Sequence, residues 1–460
     1  MVPRNPLSWL AVALAVVGAG CQFDPRGNGA SVVFDSDGGS PSFDGGSRAD
    51  AAPGCVPSCT AASNLDTCAG ETDCPLGCIA DNTGPRCGEM VPSNGALAVH
   101  LAGVTTALDI AEGGEVVIET DTGRISGAFS RNPAQGVESG IGFYELGSAK
   151  VAVLAVASLR IGSGAVLRGV GYNALIVLSA GDVEIRGKID FSAWCTSLGW
   201  ACGGPGAGDG GYRASFTTHD ATGCGAGGNG QYYTGGGGGA LGANGGAGGA
   251  LPMLITVGGT GGSASGCPGS NLAPLVGGSG GGVGGLGFDG VGGGGGGAVQ
   301  LTSFTQIGVQ GTPGSSPVGI ECSGAGGREG GNGSGNSRSG GGGGAGGAIL
   351  LEAPRVIVAL ARLTANGGGG GAVSNEGNGE AGGFSSASAN GGGSSEFAGG
   401  AGGALSGPTG LPGTDRGSGM ATGGGGGSAG IIHVRTAGGG PMLDMVTISP
   451  AHTTSSLVVR

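Results

Sequence analysis

Lysine and histidine are almost absent from this chain, and each shortage removes a class of function. Lys150 and Lys188 are the only lysines, the arginines are dispersed, and the formal net charge is −12. A basic surface able to track phosphates cannot be assembled from that supply, so nucleic acid is excluded as a partner. The four histidines, His100, His219, His433 and His452, lie far apart with neither a paired carboxylate nor metal-ligand spacing. Aromatic residues are 4% of the chain and charged residues 11%. Long apolar runs are missing as well. The longest, Leu7 to Val17, is about 11 residues, well short of the roughly 20 a membrane-spanning helix needs.

That short run has a different meaning. Arg4 precedes it, and Gly18, Ala19 and Gly20 separate it from Cys21, the order of an export signal over 1–20. The site resembles a bacterial lipobox, although Gly18 stands where an aliphatic residue is preferred. The resemblance implies that Cys21 is acylated and becomes the new N-terminus, with the lipid bilayer as its partner. An ordinary secreted protein with an incidental cysteine is the competing reading. Gln22, rather than aspartate, follows Cys21, which points to an outer membrane or cell surface. From 21 to 54 the composition is Asp, Ser, Gly and Pro without period, as in Phe34-Asp35-Ser36-Asp37-Gly38-Gly39-Ser40. Such a stretch buries too little apolar surface to offset its ordering entropy and reads as a flexible acidic tether.

Six cysteines follow within 55–90: Cys55, Cys59, Cys68, Cys74, Cys78 and Cys87. Three residues and then eight separate the first three, and the same three and eight separate the last three. In an exported chain this density predicts a disulfide-rich module with three local bridges, 15 pairings being open. Zinc competes weakly, since no histidine lies among them. The ending, Cys78 through Gly84 to Cys87, resembles the last loop of an EGF-like domain.

From Leu97 onward the apolar residues come in short runs rich in branched side chains: Glu115-Val116-Val117-Ile118, Leu159-Arg160-Ile161, Leu175-Ile176-Val177-Leu178 and Val183-Glu184-Ile185. These predict strands. A unit recurs. Ile176, Leu178, Val183 and Ile185 match Ile349, Leu351, Val356 and Val358; Val299, Leu301, Ile307 and Val309 follow with a shift of one; Ile432 and Val434 close the series. No unit can bury its own apolar residues. The expectation is an all-β body built as a parallel β-helix or solenoid: a β-helix-like domain at 97–195, a glycine-rich region with interspersed β units at 196–440, and a C-terminal strand segment at 441–460. An antiparallel sandwich is the alternative.

Glycine separates the units. There are 120 in 460 residues, about a quarter against a usual 7%. The runs lack collagen's strict period and proline. They read either as disordered inserts or as polyglycine-II-like helices whose backbones approach closely because no side chain intervenes. Cys195, Cys202, Cys224, Cys267 and Cys322 lie in or beside this region. A Cys195–Cys202 bridge is the nearest local pairing and Cys224–Cys267 the next, leaving Cys322 free or intermolecular.

Several motifs look catalytic without their required context. Gly284 to Val291 fits a calcium-binding nonapeptide, but only once. Gly277-Gly278-Ser279-Gly280-Gly281 fits a serine nucleophile elbow, but no helix follows. Asp182, Glu184 and Asp190 form the best local carboxylate cluster and read as solvated positions, with sugar or metal binding as the sharper alternative. No catalytic, cofactor-binding or metal site and no cofactor is expected, because a glycan-cleaving β-helix displays several carboxylates and a base on one face. The export signal and glycine-glycine-X texture resemble, by composition alone, glycine-rich bacterial surface lipoproteins of the PE-PGRS-like kind, without their N-terminal helical domain. The expected role is a non-enzymatic structural or adhesive surface lipoprotein, with envelope polysaccharide or a surface protein as partner. The alternative is a carbohydrate-binding or carbohydrate-active β-helix, recognisable by three or more carboxylates converging in a cleft.

Overall fold

The computed structural model describes residues from Val56 to Arg460, apart from 62–63, 75, 148–149, 195–201, 215–216, 286–289, 315, 332–337, 374–375, 395 and 416–420. The expectations for the export signal, Cys21, the tether, Cys55 and Cys195 therefore lie outside the described residues. What is described is nearly all β.

From Leu108 on, the chain visits three sheets in a fixed order and repeats the circuit. One lap is Ala174–Ser179 in the first sheet, Val183–Ile185 in the second and Lys188–Asp190 in the third. The next is Ala298–Ser303, Gln306–Gln310 and Gly319–Glu321. A third runs Ala348–Glu352, Arg355–Ala359 and Arg362–Thr364, and a fourth Ile431–Thr436, Met442–Asp444 and Thr447–Ser449. Each strand pairs in parallel with its counterpart one lap on. That pairing sets aside the antiparallel sandwich. Antiparallel partners occur at the N-terminal end, where Ile141–Glu145 pairs with Val151–Val156 and Ile125–Gly127 with Glu115–Glu119. The sheets run without a break past residues 195 and 440.

Parallel register stacks like on like. Leu175, Val299, Ile349 and Ile432 form one interior row, and Val177, Leu301, Leu351 and Val434 the next. Ile189, Ile320, Leu363 and Ile448 line the third sheet. All but Ile448 are essentially inaccessible to solvent, and each such side chain contributes about 1.5–3 kcal/mol. The match of Ile176 and Leu178 to Ile349 and Leu351 is corrected by one residue: Leu175 and Val177 take the interior places, while Ile176 and Leu178 join a second cluster on the sheet's outer face. Ala174–Ser179 is buried on both faces, so alternation carries no information about which side faces inward.

Three long inserts leave the laps at one corner, between a third-sheet strand and the next first-sheet strand: after Asp190, after Glu321 and after Thr364. Their glycine runs lie side by side. Within Gly340–Gly347 the N–H groups turn to a new neighbour at each residue and return after three. Gly340, Gly343 and Gly346 donate to Thr422 (3.1 Å), Gly425 (2.8 Å) and Ser428 (2.8 Å). Gly341, Gly344 and Gly347 donate to Arg328 (2.9 Å), Ala325 (2.9 Å) and Cys322 (2.7 Å), and Gly342 and Ala345 to Gly282 (2.8 Å) and Ser279 (2.9 Å). Carbonyls of the same run accept from Gly236 and Gly239, from Gly293 and Gly296, and from Gly368 and Gly371. One run is thus hydrogen-bonded to six others, and all eight of its residues are buried. A Cβ on Gly342 would fall on the carbonyl oxygen of Gly237, and one on Gly343 on that of Gly368. Only glycine permits this approach.

The cysteine module holds three short antiparallel strands, Ser58–Ala61, Asn64–Asp66 and Glu71–Asp73, and a hairpin of Cys78–Asp81 with Gly84–Cys87. Cys59 is bonded to Cys78 and Cys74 to Cys87; Cys68 is also in a disulfide. Cys78 and Cys87 face each other across the hairpin without being bonded to one another. Past the module, Glu89 and Arg460 exchange main-chain hydrogen bonds and Val91 N–H donates to Val458 O, so residues 458–460 clasp the start of the body.

Candidate functional site

Outward residues of the third sheet assemble a ladder of ionised groups. Leu167, Ile189 and Ile320 point inward, so the residues beside them point out. Register places Arg168 beside Asp190 and Asp190 beside Glu321, with Lys188, Gly319 and Arg362 in the adjacent row. Lys188 Nζ lies 2.5 Å from Glu321 Oε2 and 3.4 Å from Asp190 Oδ2, and Arg168 Nη2 lies 3.6 Å from the same Asp190 oxygen. Ser192 N–H and Ser323 Oγ donate to Asp190 and Glu321. Burial works against the Lys188 charge, but the Glu321 and Asp190 carboxylates outweigh it and hold the ammonium above its ordinary range.

Two aromatic rings finish the ladder. Phe384, from the third insert, lies 5.2 Å from Lys188 Nζ and 5.7 Å from the Arg362 guanidinium, which donates to the Phe384 carbonyl at 2.7 Å. Trp194 stacks 5.2 Å from the Arg168 guanidinium and is half exposed. Beneath the ladder is Cys322, a free and fully buried thiol pushed well above its usual range by burial. Two carboxylates share one lysine here, a charge-compensated arrangement with aromatic edges. It can stack and hydrogen-bond a polar ring. It offers no cleft in which three carboxylates converge.

The residues singled out from sequence are not brought together. Asp182 accepts from Thr305 and Gln306 at the first corner, Glu184 faces Arg186 on the second sheet, and Asp190 alone joins the ladder. His100 packs on Tyr144 and His219 stacks on Tyr212. His433 holds Thr453 Oγ1 at 2.6 Å and Ser455 Oγ at 2.9 Å, and its pKa is lowered to about 4 by burial, then by Arg435 and His452. Ser279 is buried, with its Oγ against Gly225 N–H and Cys224 Sγ. Cys224 is bonded to Cys267, and Cys202 is also in a disulfide. Among the described residues no group of His, Cys, Asp and Glu is placed to hold a metal ion. The ladder itself escaped the sequence reading. Its signal is a charged residue immediately after a core aliphatic, in Leu167-Arg168, Ile189-Asp190 and Ile320-Glu321.

A second buried polar group sits on the outer face of the first sheet. Glu352 accepts from Gln300 (2.7 Å), Thr302 (3.1 Å), Ser93 N–H (3.2 Å) and Arg435 (3.1 Å). Those partners satisfy the carboxylate and pin the segment entering the body.

The chain matches no protein-family model, no curated protein and no solved structure. Its class is therefore defined by its own architecture: a predominantly β protein with parallel sheets and an N-terminal disulfide-rich region.

Proposed function

We propose that the body is a parallel β-solenoid carrying a polyglycine-II-type bundle at one corner, and that the whole is a non-enzymatic surface lipoprotein, exported and tethered through acylated Cys21, with a structural or adhesive role in the bacterial envelope. The glycine lattice is the observation that carries the reading. Much of the chain forms a packed bundle whose glycine runs hydrogen-bond one another, and the ionised side chains of the third-sheet ladder compensate one another. Such a build suits presentation of a stable surface better than proton transfer. Metabolic labelling with a palmitate analogue tests the tether: label is expected on the natural chain and none on Cys21→Ala. Label retained by the variant, or missing from both, rejects the assignment.

A second reading draws on one feature. Half-exposed Trp194 beside Arg168 and Asp190 is the combination of flat apolar face and hydrogen-bonding groups that suits a sugar ring. Acyl-free protein on an array of envelope glycans decides it. Binding lost in Trp194→Ala favours a carbohydrate-binding role at the ladder, and silence across the array leaves the structural role.

A further inference from the structure

The glycine bundle ends in an apolar tip. Gly347 and Gly430 lead directly into first-sheet strands, so those ends of the runs lie against the laps. The run from Gly235 lies parallel to the one from Gly340, through Gly236 N–H to Gly340 O and Gly239 N–H to Gly343 O, and so starts at the far end. Gly246 and Gly249 donate to Gly426 and Gly423, which takes the chain back out to that far end at Leu251. There a tight turn over Leu251 to Val257 projects Met253 (75% exposed), Leu254 (52%), Ile255 (92%) and Val257 (65%). Tyr232 (62%) is on the same end, because the nearby Gly235 N–H bonds Gly249 O at 3.3 Å.

Three properties of this tip belong together. It is convex, a finger rather than a groove. Its own segment carries no charge, with no Asp, Glu, Lys or Arg anywhere between Asp220 and Asp289. Its main chain is turned inward: Leu251 and Thr256 bond each other, Leu254 N–H donates to Leu251 O at 3.0 Å, and Ile255 N–H to Pro252 O at 3.1 Å. Asp415 receives Ala250 N–H at 2.7 Å at the base of the turn.

We propose that the tip is a membrane-inserting finger that enters the interfacial layer of a zwitterionic lipid bilayer, separately from any acyl chain on Cys21. An apolar medium cannot replace water as a partner for N–H and C=O groups, so internal bonds lower the cost of entry; four N–H groups of this turn, those of Leu251, Leu254, Ile255 and Thr256, are paired within it, and the carbonyls at its apex stay at the level of the hydrated headgroups. Exposed Met, Leu, Ile and Val supply the transfer energy, and tyrosine suits the headgroup level. The turn's own segment holds no basic residue, and the charge at its base, Asp415, is acidic, which argues against attraction to an anionic surface. A second copy is less well suited, since a two-fold contact needs a self-complementary patch and a lone finger has none.

The test uses the whole chain carrying Cys21→Ser, floated with phosphatidylcholine vesicles. Co-flotation is expected, unaffected by 1 M salt, and reduced at least tenfold by Met253→Asp with Ile255→Asp at unchanged melting temperature. An Ile255→Trp variant should show blue-shifted emission quenched by brominated acyl chains. No flotation, flotation that salt abolishes, or flotation indifferent to the aspartates overturns the proposal. So does lipid-free self-association that the aspartates dissolve, which would make the tip a contact between copies.

Discussion

Adding one methyl group inside the glycine bundle should be among the costliest conservative changes in the chain. At Gly342 the new Cβ would fall on the Gly237 carbonyl oxygen, with Gly238 N 2.9 Å away, and at Gly343 on the Gly368 carbonyl oxygen. Relief is blocked because the run is bonded to neighbours on six sides. Overpacking by one carbon costs about 1–3 kcal/mol. Pushing a neighbouring run away also gives up hydrogen bonds worth about 1 kcal/mol each. Gly342→Ala or Gly343→Ala should thus cost roughly 3–5 kcal/mol, and valine more. In a unit of this size that is a fall of about 5 °C in Tm. Gly407→Ala is the control, since nothing lies within 4 Å of its Cβ position, and it should be neutral to within about 0.5 kcal/mol. Thermal and denaturant unfolding followed by circular dichroism would measure both. A Gly342 variant melting with the parent would refute the packed lattice.

His433 gives a pH prediction. Its folded pKa of about 4 lies below the unfolded value, so the unfolded chain binds the extra proton between about pH 6.5 and 4, and stability falls as pH drops through that window. The linkage allows up to about 3 kcal/mol, which solvent screening brings to about 1–2; His433→Gln should flatten this part of the pH–stability curve. Lys188→Met should cost about 3 kcal/mol by leaving Glu321 and Asp190 without their shared cation, and adding Glu321→Gln should recover part of it in a denaturant titration. Cys322 should resist maleimide in the native protein and react once unfolded; native labelling faster than unfolding would contradict its burial.

Much of the fold was legible because its rows are made of branched aliphatics at a spacing of two: Val183 and Ile185, Ile307 and Val309, and Val356 and Val358 were matched correctly across laps. Alternation failed where a strand is buried on both faces. In Ala174–Ser179 every residue is a plausible interior residue, and the turn from Leu351 to Val356 is one residue shorter than that from Val177 to Val183, so equal spacing selected the wrong face. Order in the glycine runs was undecidable from composition. It depends on runs from all three inserts meeting, and only the shared corner brings them together. The ladder joins Arg168, Lys188, Glu321 and Phe384 across more than two hundred residues, and local patterning cannot reach that far. The apolar tip is hidden for another reason: Met253 to Val257 has the composition of a short strand, and only its exposure distinguishes it.

The three-residue return of each N–H direction sets a counting rule for how this chain can change length. Gly340, Gly343 and Gly346 face one neighbour, and Gly341, Gly344 and Gly347 another. An inserted or deleted residue turns every later N–H by a third of a circle and offers it to the wrong run. A change of three restores the phase. Antiparallel neighbours such as Gly278–Gly281 and Gly293–Gly296 must grow together, or the longer one ends with unpaired groups. Length should accordingly vary among descendants of this sequence in multiples of three, matched between facing runs or added as whole out-and-back pairs at the bundle's edge. The number of laps is free to change independently.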